Sequence, residues 1–277
     1  MSVAQSNAEQ THIHPTAIVH PAARVGSGAS VGAYCVVGEH VTLGDGVNLI
    51  SHVVVEGRTR IGNDSTIYPF SSVGHRPQDL KYHGEPSELI IGERCTIREN
   101  CTLNPGTAGG GMRTEVGDDC LFMASTHVAH DCKVGDHVIM ANFSGLAGHV
   151  AVEDYVILGA GCIVHQHVRL GEHAFIGAQS MIDADVIPFG MAIGNRAELA
   201  GLNLVGLKRR GFSRDAIHAL RAAYRMIFSS EGTLKERTGD AEELFPGNSH
   251  VQQIVDFLNL SSGRAVCMPR NGHTSEG

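Results

Sequence analysis

Of the five histidines between positions 127 and 166, the sequence places four, His127, His130, His149 and His165, beside Asp131, Gly148 and Gln166. Positions 130, 148 and 166 are eighteen residues apart, with His130 on the first and His149 and His165 one residue from the other two. Imidazole titrates near neutrality, so a histidine held by Asp131 could serve as a general base, typically contributing about 10²- to 10⁴-fold to a rate. Three imidazoles with an open position also suit zinc and a metal-activated water. Either chemistry needs a scaffold that brings positions eighteen apart onto one edge.

That scaffold is written as a six-residue period. Bulky apolar residues recur every sixth position from Ile13 through Val31, Leu49 and Ile67 to Val73. They resume at Ile91, Ile97 and Leu103, slip by one residue, and run from Val116 through Val128, Leu146 and Val164 to Ile182. Such self-similarity is the signature of a parallel β-helix, in which short strands wind about one axis and successive turns stack. One rung cannot bury its own side chain, whereas stacked rungs form an apolar column in which each filled position contributes on the order of 1.5–3 kcal/mol. Gly26, Gly32, Gly44 and Gly117 directly follow periodic residues, where a tight corner is expected to call for glycine.

If three hexads complete a triangular turn, as in the hexapeptide-repeat family that this period resembles, residues eighteen apart lie one above another at about 4.8 Å. The four imidazoles are then expected on one edge of three successive turns. General connection rules favour right-handed crossovers, while that family is left-handed. The period leaves the hand open, and a left-handed parallel β-helix is expected on the resemblance alone.

The period breaks twice. Between Val73 and Ile91 the register positions fall on Asp79 and Glu85, which cannot line an apolar column, so a loop is expected near 74–90. A second loop near 107–113 contains Gly109, Gly110 and Gly111 and shifts the register by one. Loops on a rigid scaffold often carry function. Past Ile187-Pro188 the texture turns helical: Ser213 suits an N-cap, Asp215 a first turn, and Ile217, Leu220, Tyr224, Ile227 and Phe228 recur at helical spacing. A further helix is expected near 251–260. The expected organisation is a polar tail over 1–11, the β-helix over 12–190, a C-terminal helical region over 191–262 and a flexible tail over 263–277.

Composition narrows the function classes. The 277 residues carry a formal charge of −8, which argues against non-specific nucleic-acid binding. Charge is uneven: Lys208 to Arg237 holds eight basic residues against three acidic ones, leaving this stretch at +5 and the remainder at −13. An acidic partner or a phosphate could dock there. No long apolar run suggests a membrane span and no signal pattern opens the chain, so a cytoplasmic protein is expected. Cys35, Cys95, Cys101, Cys120, Cys132 and Cys162 each lie four residues after a periodic apolar position, which marks them as small core residues rather than metal ligands or disulfide partners.

Five segments add specificity: His127-Val128-Ala129-His130-Asp131-Cys132, Leu146-Ala147-Gly148-His149-Val150, Val164-His165-Gln166, Gln78 through Pro86, and Gly206 through Ser213. Together they closely resemble the bacterial UDP-N-acetylglucosamine O-acyltransferase family, which performs the first acylation of lipid A synthesis. The similarity runs from about Ile13 to Leu260 in the same order and spacing. It implies UDP-N-acetylglucosamine as acceptor, a 3-hydroxyacyl chain on the phosphopantetheine of acyl carrier protein as donor, a homotrimer, and no metal or other cofactor. His130 matches the family's general base, Asp131 the carboxylate that orients it, and Gly148 the backbone N–H that stabilises the oxyanion. Gln78, Asp79 and Lys81 match substrate-holding loop residues, and His127, His149, His165 and Gln166 match substrate contacts. Arg209 and Arg210 match basic residues near the nucleotide and the carrier's prosthetic group.

Two sites, a dipeptide and a single residue, depart from the better-known members. Asn104-Pro105 stands where they carry His-Arg, so contacts to substrate are expected to differ there. Ala178 stands where the family closes its acyl groove, and its methyl is expected to favour a somewhat shorter chain. The alternatives are a hexapeptide N-acyltransferase acting on an amino-sugar nucleotide, a zinc enzyme resembling the β-helical carbonic anhydrases, and a non-enzymatic scaffold.

Overall fold

A computed structural model of the chain describes residues 10–260 and 263–270. Its backbone divides after His137 into two compact units. In the first, two-residue strands such as Ser30–Val31, Asn48–Leu49, Thr102–Leu103 and His127–Val128 build three parallel sheets. Their register steps by eighteen: His12 lies beside Ser30, Ser30 beside Asn48, and Asn48 beside Thr66. Thr66 then pairs with Thr96, thirty residues on, and Thr102 with His127, twenty-five on. The two loops thus insert twelve and seven residues beyond the usual eighteen, and the ladder closes around them. Seven is a hexad plus one, which is the origin of the one-residue slip.

Val31, Leu49, Ile67, Leu103 and Val128 are fully buried, as an inward column demands. All seven cysteines are buried and none is in a disulfide. The glycines after the periodic residues serve close approach rather than dihedral freedom: a Cβ on Gly32 would overlap the Ile50 carbonyl one rung away. The left-handed backbone falls two residues later, at Tyr34, His52, Phe70, Asn100, Asp119, Ser125, Asp131 and His137, with φ between 52° and 66°. Asn, Asp and His tolerate that region better than most residues do, and they hold most of these corners.

The second unit keeps the same register, with Ile139 beside Ile157, Gly145 beside Ile163 and Ala151 beside Arg169. Leu146, Val152, Leu158, Val164, Leu170 and Ile176 fill its column. The helical texture expected from 191 does not begin there. Gly190–Ile193 instead pairs antiparallel with Glu198–Leu202, across a turn that Gly194 enters at φ +106°. These strands are too short for their alternation to stand out in sequence.

Four helices follow: α1 (Leu204–Arg209), α2 (Arg214–Ile227), α3 (Leu234–Leu244) and α4 (Ser249–Asn259). Ser213 caps α2 by accepting from the Ala216 N–H. Thr233 and Glu236 form a reciprocal capping box on α3, a helix whose polar sequence shows little apolar period. Ala223 of α2 packs on Val251 and Val255 of α4. Part of the expected flexible tail is instead held by backbone bonds, because Cys267 donates to the Asp185 carbonyl and Met268 accepts from Leu199. Residues 271–277 of that tail and 1–9 of the N-terminal one lie outside the described residues. Among the described residues no helix is long and apolar enough to cross a membrane.

Candidate active site

The His127–Val128 strand buries Val128 and turns the chain through Ala129 and His130 into Asp131, the corner residue at φ +60°. His130 Nδ1 lies 2.8 Å from Asp131 Oδ2, with the carboxylate side chain fully buried and the imidazole 16% exposed. An ionised carboxylate only accepts, so Nδ1 carries the hydrogen and Nε2 presents its lone pair. Nε2 stands 3.8 Å from Asp79 Oδ2. The ring nitrogen turned away from Asp131 thus faces a second carboxylate.

Both loops of the first unit converge on this pair. The first brings Asp79, whose Oδ1 accepts from the Lys81 N–H at 2.9 Å and whose Oδ2 lies 3.7 Å from Lys81 Nζ. The Lys81 N–H, with the Lys81 ammonium adding to it, holds the Asp79 carboxyl below the usual carboxylate range. Gln78 precedes it on the same loop. The second loop brings Thr107, whose N–H and hydroxyl donate to Asp131 Oδ1 and Oδ2 at 2.9 and 2.6 Å. A Cβ on Gly110 would overlap the Asp131 carboxylate, so of the three consecutive glycines this one is fixed by contact with the site. The loops are joined to each other where Ala108 N–H donates to Glu85 Oε1 at 3.0 Å.

His127 sits on the strand just before the pair, its Nδ1 2.7 Å from the Thr102 hydroxyl. Burial pushes its pKa below the ordinary histidine value, and the neighbouring His130 adds to this. Asn104, at the departure from the better-known pattern, donates to the His75 carbonyl at 3.0 Å. It therefore anchors the base of the first loop. Its Oδ1 is buried without a partner among the described residues.

In the second unit, Gly148 is buried at its rung, and its carbonyl accepts from the His167 N–H at 3.2 Å. His149 is a corner residue at φ +63° and stacks on His167, ring centroids 4.5 Å apart, because the corners repeat every eighteen residues. His165 Nδ1 lies 2.9 Å from Arg264 Nη2, and Gln166 beside it is exposed. Ala178 stands one residue before the corner at Gln179, its backbone packed beneath Gly159. Arg209 and Arg210 line a cavity of about 1070 Å³ together with Arg221, Arg225, Tyr224 and Phe228. Arg210 donates to the Tyr155 carbonyl at 2.8 Å and sits 5.2 Å from that ring's centroid.

Several site residues escape a reading of the sequence. Thr107 and Thr114, whose hydroxyl accepts from the Asp131 N–H at 2.7 Å, lie 24 and 17 residues from their partner, the first across the register slip. His167 is findable in retrospect, since it follows His149 by eighteen.

Parallel hexad rungs carrying a histidine–carboxylate pair define the class of hexapeptide-repeat transferases. The bacterial transferase hexapeptide profile matches residues 113–148, and that of UDP N-acetylglucosamine O-acyltransferase domain 2 matches 185–267. The acyl-[acyl-carrier-protein]–UDP-N-acetylglucosamine O-acyltransferase of Caulobacter vibrioides is 56% identical, over 93% of this chain and 98% of its own. The protein of that name from Rhizobium etli is 48% identical, over 96% and 97%. Among solved structures, UDP-N-acetylglucosamine O-acyltransferase from Moraxella catarrhalis is 39% identical with a TM-score of 0.88, covering 93% of this chain and 99% of that one. The chain belongs to the UDP-N-acetylglucosamine O-acyltransferase family, and its fold class is the left-handed parallel β-helix with a C-terminal helical region.

Proposed function

We propose that the protein transfers a 3-hydroxyacyl chain from acyl carrier protein to the 3-hydroxyl of UDP-N-acetylglucosamine, the first step of lipid A biosynthesis. The acyltransferase activity is the one named for its relatives across nearly their whole length. The observation that carries the residue assignment is the buried Asp131 carboxylate fixing His130 Nδ1, which leaves Nε2 as the basic nitrogen.

In the proposed step Nε2 takes the proton of the 3-hydroxyl as its oxygen attacks the thioester carbonyl. The tetrahedral oxyanion is stabilised by the Gly148 N–H, a donor of the kind worth roughly 3 kcal/mol. The C–S bond then breaks, and the departing thiolate takes the proton from His130. Asp131 orients the imidazole and stabilises its charged form. Asp79 and Lys81, with Gln78, hold the sugar and place the donor, and His127, His149, His165 and Gln166 contact substrate. Arg209 and Arg210 receive the nucleotide and the prosthetic group's phosphates, and Ala178 limits acyl length. The working enzyme is a cytoplasmic homotrimer with clefts between subunits, and no metal takes part.

Release of the carrier's free thiol should require UDP-N-acetylglucosamine, vanish in His130→Ala while the trimer persists, and survive exhaustive chelation. Near-normal release by His130→Ala would remove the base assignment. Loss on chelation, restored by zinc, would favour metal-activated water instead.

A further inference from the structure

The Asp131 carboxylate is held by groups other than its histidine, and nothing in the proposed step accounts for them. Thr107 is 5% exposed and spends both its backbone N–H and its hydroxyl on the two Asp131 oxygens. Oδ2 thereby accepts from Thr107 and His130 at once, at 2.6 and 2.8 Å. A surface threonine would not be ordered this way. The bonds are paired, short, and covered by Gly110, whose missing Cβ is what lets the loop close over the carboxylate. The Asp131 N–H meanwhile donates to Thr114, so the corner is pinned through backbone and side chain from two flanking positions.

We propose that Thr107 is a positioning residue that sets the orientation, tautomer and basicity of His130 through Asp131. The inference deepens the reading of His130 as general base and rests on it for its kinetic consequence. The hydroxyl donates to a carboxylate oxygen that His130 Nδ1 also uses. It withdraws part of the negative charge that would otherwise stabilise imidazolium. Thr107 thus shares the Asp131 charge with His130, and it fixes the carboxylate rotamer so that Nε2 is turned away from Asp131 toward the acceptor hydroxyl. Because the loop between Leu103 and Val116 supplies Thr107, the register slip has a chemical purpose as well as a topological one. The other charged groups facing this pair within its unit are Asp79, with Lys81 beside it, and His127.

The test is Thr107→Val, which keeps shape and branching and removes only the hydroxyl, beside Thr107→Ser, which keeps the hydroxyl. Two readouts are taken: steady-state kinetics across pH, and NMR titration of the His130 ring, assigned by its disappearance in His130→Gln. We expect kcat of Thr107→Val to fall about tenfold to a hundredfold with the sugar-nucleotide KM changed less than about twofold. The acid limb of its pH profile and the His130 titration should both move up by roughly half a unit or more. Thr107→Ser should restore both. Should the valine variant not accumulate as folded protein, Thr107→Cys weakens the same donor at similar volume and gives the same reading. An unmoved His130 titration in a folded Thr107→Val, or a serine variant as impaired as valine, overturns the proposal. A shifted titration with turnover unchanged upholds Thr107 as the group that tunes His130 and refutes His130 as the base, which separates the two failures.

Discussion

His130 can act only if its proton is on the nitrogen facing Asp131, and the 2.8 Å contact to a fully buried carboxylate sets that condition. Replacing His130 with alanine should lower kcat by about 10²- to 10⁴-fold, read by thiol release at saturating substrate. Asp131→Asn should lose a comparable part of the rate at unchanged fold, since an amide offers His130 a donor where the carboxylate offered only lone pairs. His127 makes a separate prediction. Its pKa in the folded chain is depressed, first by burial and then by His130. The unfolded chain therefore binds a proton more readily, and stability present above the ordinary histidine pKa of about 6.5 is lost as pH falls through and below that value. Denaturant unfolding between about pH 8 and 5 should show a shallower loss in His127→Gln than in the parent. An equal loss in both would place the effect on other histidines.

At the scale of elements, the rungs hold their spacing because glycine follows the inward residue where the next backbone comes too close for a Cβ. Gly32→Ala, which would press a methyl into the Ile50 carbonyl, should lower the melting temperature markedly, whereas a substitution at exposed Ile18 should not. Leu146→Ala, in a fully buried column position, should cost about 2–5 kcal/mol by denaturant unfolding. The rungs were legible because every inward position repeats at six and because Asp79 and Glu85 cannot face a core. The corner conformation was not, since tolerance of positive φ by Asp131 or His149 leaves no periodic mark comparable to an apolar column. Likewise the antiparallel pair over 190–202 has too few residues for its alternation to be distinguished from the onset of helix. Of the site, His130 and Asp131 could be read as neighbours in sequence. The Thr107 bonds could not, because they span a loop whose length alters the register.

For the whole molecule, charge asymmetry bears on the partner. The +5 stretch from Lys208 to Arg237 sits in a chain of net −8, and four of its arginines, Arg209, Arg210, Arg221 and Arg225, line one cavity. An acidic carrier protein drawn to this region should show a KM that rises several-fold as salt increases from about 0.05 to 0.5 M, where the Debye length falls well below about 10 Å. A KM for the carrier independent of salt would assign its docking elsewhere. The central claim is the reaction itself, and the most direct measurement of it is the product. UDP-N-acetylglucosamine is incubated with acyl carrier thioesters of graded length, and the product is weighed and its ester position located by NMR. The account predicts a single 3-hydroxyacyl ester on the sugar's 3-oxygen, formed only with the wild-type base; an N-acyl product, or no sugar product from any thioester, would contradict it.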